Sequence, residues 1–142
     1  MGRTNWLARR TGMSKLLLVD DDADSVDALC RYLQDMCGYE VERIDNGRMA
    51  LQTILHCAPD LIILDLHMPE LDGCTLLEVL RSYLRLQSLP VIVLTGLPDS
   101  PRLDRARQLN ANRIFEKGKA ELKEIAKAVR EELRRRAGKG DL

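Results

Sequence analysis

Short continuous apolar runs alternate along the chain with longer stretches in which apolar residues recur every three or four positions. LLLV (16–19), LIIL (61–64) and VIVL (91–94) contain no polar residue. A strand covered on both faces needs no polar side, so these runs predict the interior strands of a parallel sheet. YEVERI (39–44) alternates apolar and charged residues, and RIFE (113–116) is short with a charge at each end. Both patterns fit half-exposed strands at the sheet edges. With strands 2 and 5 outside and every crossover right-handed, the strand order becomes 2-1-3-4-5. The expected fold class is therefore α/β: a doubly wound, flavodoxin-like five-stranded parallel sheet with helices on both faces.

The stretches between strands supply those helices. The first presents Val26, Leu29, Leu33 and Met36 at spacings of three and four, and the last presents Leu122, Ile125, Ala126, Val129 and Leu133; each set is an apolar stripe that packs on the sheet. Asn46 and Asp72 stand where the second and third helices need caps, Asp22 and Asp24 suit the start of the first, and Ser100-Pro101 suits the start of a short fourth. No internal repeat or long linker interrupts this pattern. One domain is expected over residues 14–136, flanked by a basic extension (1–13) and a flexible tail (137–142). The extension, with Arg3, Arg9 and Arg10, fits a mis-assigned start ahead of Met13, a weakly ordered arm or a basic contact to a partner.

The 142 residues include 22 basic and 22 acidic side chains, so net charge is zero. Overall charge therefore does not draw the chain to nucleic acid. The apolar runs are far shorter than the roughly 18 residues a membrane span requires, and the first dozen residues lack the apolar stretch of a secretory signal. A cytoplasmic protein without membrane insertion or direct nucleic-acid binding is expected. Cys30, Cys37, Cys57 and Cys74 form no Cys-x-x-Cys pair and fall where helices or helix starts are expected. They read as reduced thiols packed as small apolar residues, and zinc would need them, or His56 and His67, to converge from separate helices.

Chemistry is expected beyond the carboxyl ends of the strands, where strand order reverses. Strand 1 ends in Asp20-Asp21-Asp22, strand 3 in Asp65, strand 4 in Thr95 and strand 5, after Glu116, in Lys117. Partly buried carboxylates gathered on one rim are costly unless a cation neutralises them. An all-oxygen set of carboxylates, a backbone carbonyl and waters suits Mg²⁺, or Mn²⁺, better than a soft metal. A carboxylate screened in this way can attack phosphorus to form an acyl phosphate, and Asp65 is the best-placed nucleophile. The Thr95 hydroxyl and the Lys117 ammonium can neutralise phosphoryl oxygens.

LLLVDD (16–21), LIILDLHMPELDG (61–73), VIVLTG (91–96) and Lys117 together resemble the response-regulator receiver family of two-component signalling, over residues 15 to about 134. The resemblance implies a CheY-like receiver, and with the chain ending in a charged helix and the short tail AGKGDL, a stand-alone one with no attached output domain is expected. Asp65 would be the phosphoacceptor, Asp21 and Asp65 direct Mg²⁺ ligands, Asp20 a ligand through water, and His67 a ligand through its backbone carbonyl. Thr95 and Lys117 take the phosphate-sensing roles, while His67 and Leu97 occupy positions that tune phosphoryl loss. The implied donor is a histidine kinase or a histidine phosphotransfer protein. The downstream protein target is not specified and self-association is left open. Such a domain promotes its own phosphotransfer and hydrolysis without turning over an outside substrate.

Three positions depart from the family pattern. Lys117 is followed by Gly118 rather than the usual cis proline, and a cis bond without proline costs about 3 kcal/mol, so the loop is expected to be trans. Ile114 replaces the usual aromatic, with Phe115 pointing to the other face of the strand. Asn110-Ala111 replaces Gly-Ala. These changes sustain an alternative, a receiver-like interaction module that works without phosphorylation. A phosphohydrolase of the haloacid-dehalogenase type would place a second Asp where His67 stands. A flavin or nucleotide would be repelled by Asp20 to Asp22.

Overall fold

The computed structural model describes residues 13–68, 70–96 and 100–140. Its elements in chain order are β1 (Lys15–Val19), α1 (Ala23–Arg31), β2 (Glu40–Ile44), α2 (Gly47–His56), β3 (Leu61–Asp65), α3 (Gly73–Ser82), β4 (Val91–Thr95), α4 (Pro101–Gln108), β5 (Arg113–Glu116) and α5 (Leu122–Gly140). The strands are parallel and lie in the order β2-β1-β3-β4-β5. Every residue of β1, β3 and β4 is buried, whereas β5 is half-buried throughout and β2 nearly so. The alternating and charge-flanked patterns thus mark the edges, as expected.

Successive residues of a strand face opposite sides, and this divides the core in two. Leu17, Val19, Ile62, Leu64, Val91 and Val93 pack with Ala50 and Ile54 of α2, Leu76, Leu77 and Leu80 of α3, and Leu103 and Ala106 of α4. Leu16, Leu18, Leu61, Ile63, Ile92 and Leu94 face Val26, Leu29 and Leu33 on one side and Ile125 and Val129 of α5 on the other. Each fully buried leucine or isoleucine contributes about 1.5–3 kcal/mol through the apolar area removed from water. The rigid sheet holds the loops at its carboxyl edge.

Asn46 Oδ1 accepts from Met49 N at 2.8 Å, and Asp72 Oδ1 from Thr75 N at 2.9 Å. Asp22 caps α1 more loosely, with 3.4 Å to Ser25 N. Ser100 sits at the start of α4, but its hydroxyl makes no capping bond; Pro101 favours the helix start differently, by fixing φ and removing one N–H that would lack a partner.

Three expectations need correction. Met36 does not complete the apolar stripe of the first helix: it is 73% exposed. After Arg31 the chain continues as a π-helical segment, Tyr32–Met36. Its wider turn rotates the later side chains off the 3.6-residue stripe, leaving Leu33 as the last buried residue. Residues 137–140, expected as a tail, continue α5 to Gly140. Cys37 and Cys57 close helical segments instead of lying in or starting them, and both are half-buried, while Cys30 and Cys74 are buried as expected; all four thiols are free. Arg3, Arg9, Arg10 and Leu97 lie outside the described residues.

At the opposite end of the sheet from the Asp-rich loops, Arg81 reaches from α3 to four backbone carbonyls. They belong to Leu109 (3.0 Å), Gln87 (3.1 Å), Leu89 (2.8 Å) and Asn110 (3.0 Å). Arg81 also donates to Asn112 Oδ1 at 3.2 Å, and Asn112 donates to buried Glu132 at 3.1 Å. Arg113 and Arg135 complete the neutralisation of Glu132 at 3.0 and 2.9 Å. This polar network joins α3, the loops that precede β4 and β5, β5 itself and α5.

Candidate functional site

The site assembles from three strand ends and the turns that follow them. Asp20 comes directly after β1, and its backbone N–H bonds to Ile44 O at 3.0 Å, so the ladder with β2 carries on past the strand. Asp65 is the last residue of β3. Lys117 follows β5, its backbone N–H held by the carbonyl of Thr95 at 2.8 Å. Asp20 and Asp65 are each 5% exposed, Thr95 is buried and Asp21 is exposed.

Each buried carboxylate is steered by the backbone two residues on. Asp22 N donates to Asp20 Oδ1 at 2.8 Å, and His67 N donates to Asp65 Oδ1 at 3.1 Å. The other oxygens meet one cation: Lys117 Nζ stands 2.6 Å from Asp20 Oδ2 and 3.4 Å from Asp65 Oδ2. One carboxylate oxygen from each of Asp20, Asp21 and Asp65 can be chosen so that all three lie within 4.8 Å of one another. The residues placed on this rim from the sequence, Asp20, Asp21, Asp65 and Lys117, are therefore brought together. Thr95 lies at the neighbouring strand end, and His67 contributes its backbone N–H.

Three carboxylates face one ammonium, so negative charge is in excess. Burial pushes the Asp65 carboxyl above the ordinary aspartate range, and Asp20 adds to that push; the His67 N–H and Lys117 oppose it without cancelling it. For Lys117, burial disfavours the charged form, but Asp20 and Asp65 outweigh it and hold the ammonium above the usual lysine range. Asp20 Oδ2 is buried, and its close contact with Lys117 is an ion pair without a well-directed hydrogen bond. Together, one oxygen from each of Asp20, Asp21 and Asp65, all within 4.8 Å of one another, make a hard all-oxygen donor set that fits Mg²⁺.

Gly73 is a site residue that the sequence reading placed only within a motif. A Cβ there would overlap the carbonyl oxygen of Asp65 and the Cα of Leu66, so α3 can start against the back of the loop after β3 only with glycine. The Asp-Gly pair at 72–73, a cap followed by a residue without a side chain, was the available signal. Glu70, in the same loop, adopts a left-handed φ of 62°, which nothing in the residue pattern indicated. The Lys117–Gly118 connection is trans, as expected, since no peptide bond among the described residues is cis; Gly118 has a φ of 82°. Ile114 packs into the α2–α4 side of the core and Phe115 into the α1–α5 side, also as expected.

Residues 16–130 match the response regulator receiver domain, and the chain belongs to that family. The Response regulator Rre1 of Synechocystis is 39% identical over 81 residues, which cover 57% of this chain and 35% of that protein. The chain thus spans about a third of the length of the curated relatives it matches. Among solved structures, a response regulator from Chloroflexus aurantiacus superimposes with a TM-score of 0.77 at 31% identity, covering 85% of this chain and 98% of that one. A CheY-like receiver domain protein from Methanospirillum hungatei shares the fold with a TM-score of 0.80 at 20% identity, covering 89% and 98%. No helix among the described residues is long and apolar enough to cross a membrane.

Proposed function

We propose that this receiver domain accepts a phosphoryl group on Asp65 from a histidine kinase or histidine phosphotransfer protein, and signals by protein–protein contact. The observation that carries this reading is the convergence of Asp20, Asp21 and Asp65 with Lys117 at the carboxyl edge of the sheet. In the transfer, a carboxylate oxygen of Asp65 forms a bond to phosphorus as the donor's P–N bond breaks, and the donor imidazole keeps the electron pair. Asp20, Asp21, Asp65 and the His67 carbonyl would hold Mg²⁺, with Mn²⁺ as a substitute. When bound, such an ion neutralises excess carboxylate charge and developing charge on the phosphoryl oxygens.

The protein's own groups supply the remaining functions. The His67 N–H fixes one Asp65 oxygen. Lys117 is already drawn to Asp20 and Asp65, so its ammonium lies where a phosphoryl oxygen would need a positive partner. Thr95 is tied to Lys117 through the backbone, and its hydroxyl would donate to a second phosphoryl oxygen. Hydrolysis by water at phosphorus then returns Asp65 and free phosphate.

Incubation with acetyl phosphate and Mg²⁺, followed by intact-mass measurement, tests the reading. The expected result is one phosphate adduct, or phosphate release at a matching rate, lost with EDTA and lost in Asp65→Asn. If the wild type gives neither adduct nor release, the phosphorylation-independent module replaces this reading. The Gly118 loop and Ile114, which depart from the family pattern, would be its basis.

A further inference from the structure

The solvent face of α5 carries a row of cations that the phosphoacceptor site does not use. Lys123, Lys127, Arg130 and Arg134 are exposed and follow one another at spacings of four, three and four residues. On a helix those spacings place them in a single stripe about 16 Å long. Acidic residues of α5 offset the stripe only in part: Glu131 lies near enough to Lys127 and Arg130 for both to favour its charged form, but its carboxylate is shared with another cation. Glu131 pairs with Arg113 at 2.9 Å and Glu132 with Arg113 and Arg135, while Glu124 accepts from the Glu121 backbone at 3.0 Å. Among the described residues, Lys123, beside Glu121 at 3.7 Å, is the one member of the row with an ion partner within 4 Å. Like charges at these spacings repel one another, and Lys123 sits in the first turn, where the helix dipole disfavours a cation.

The geometry points to an interaction surface for an acidic peptide segment that carries a matching row of carboxylates, engaged whether or not Asp65 is phosphorylated. The stripe is one cation wide. The carboxylates of Glu124 and Glu131 lie along one flank of it on the same helix, and the chain has zero net charge. A lipid surface or a nucleic-acid backbone gains most from a broad positive area, whereas a helix with acids at i, i+4, i+7 and i+11 needs only a single row. Tyr39, half-buried and close enough for Arg130 and Arg134 to influence its hydroxyl, adds an aromatic edge beside the arginines.

The test uses a labelled alanine-rich helical peptide with glutamates at i, i+4, i+7 and i+11, measured by fluorescence anisotropy on the full chain. The expected result is saturable binding that weakens at least tenfold when salt rises from low to near-molar. It should also weaken at least tenfold in Lys127→Glu/Arg130→Glu, be absent for the glutamine version of the peptide, and be unchanged in Asp65→Asn. If the reversal variant loses its circular-dichroism signal, Lys127→Gln/Arg130→Gln replaces it, with a smaller loss expected. Equal peptide affinity in wild type and charge variant overturns the proposal. So does binding of anionic phosphatidylserine vesicles or a single-stranded oligonucleotide through the same two residues in place of the peptide.

Discussion

Asp65 meets two opposing demands. In the proposed role of phosphoacceptor it gains from a site that holds water away from an acyl phosphate, yet burial beside Asp20 makes its negative charge unfavourable. That conflict predicts a stability effect with a definite sign. Because the folded protein raises the Asp65 pKa, the folded state holds its proton more tightly than the unfolded chain. Stability then falls as pH rises from the unfolded aspartate value, about 3.9, through the raised folded value, and stays lowered above it. In metal-free buffer at neutral pH, Asp65→Asn should therefore melt a few degrees higher than wild type, on the order of 2–5 °C. Thermal melts across pH check this: the advantage should shrink toward zero as acid protonates the wild-type carboxyl, and a constant or growing advantage contradicts it. The acids were legible because they close the apolar runs LLLV and LIIL, and Lys117 because it follows the charge-flanked edge strand RIFE. Glu70 was not, since its left-handed backbone is imposed by the turn between β3 and α3 and not by its own preferences.

At the scale of elements, strands were easier to read than helix ends. LLLV, LIIL and VIVL lie inside β1, β3 and β4 because uninterrupted apolar runs leave one physical option, a strand covered on both faces. The first helix misled at Met36, since a widened turn changes the period without leaving a residue-type signature. Two connections yield predictions. Gly73 packs against the Asp65 and Leu66 backbone, so Gly73→Ala should destabilise the protein by about 1–3 kcal/mol through overpacking. It should also slow acetyl-phosphate labelling; urea titration and labelling rates read the two effects, and wild-type values in both contradict the packing argument. Asn110 turns the chain after α4 with a φ of 61°, a conformation asparagine tolerates better than alanine. Asn110→Ala should cost about 1 kcal/mol, and Asn110→Gly should remain within about 0.5 kcal/mol of wild type. The same titration separates them, and equal losses count against a backbone origin.

Across the whole molecule, the sheet works as a platform with different chemistry at its two ends. Its carboxyl edge gathers the acids with Lys117, and its other edge is closed by Arg81, Asn112, Glu132, Arg113 and Arg135. The first end could be foreseen because strand order and strand ends together place residues that are distant in sequence. The second could not: Arg81 and Glu132 read as ordinary charges on amphipathic helices, and only tertiary packing brings them to Asn112. The proposed function stands or falls on the carboxylate at the tip of β3 as the group that carries phosphorus. Borohydride reduction after acetyl-phosphate treatment converts an aspartyl phosphate to homoserine, and peptide mass spectrometry locates it. Homoserine at position 65, dependent on added Mg²⁺, is the predicted result; an unmodified Asp65 with the label at Asp20, at Asp21 or nowhere contradicts it.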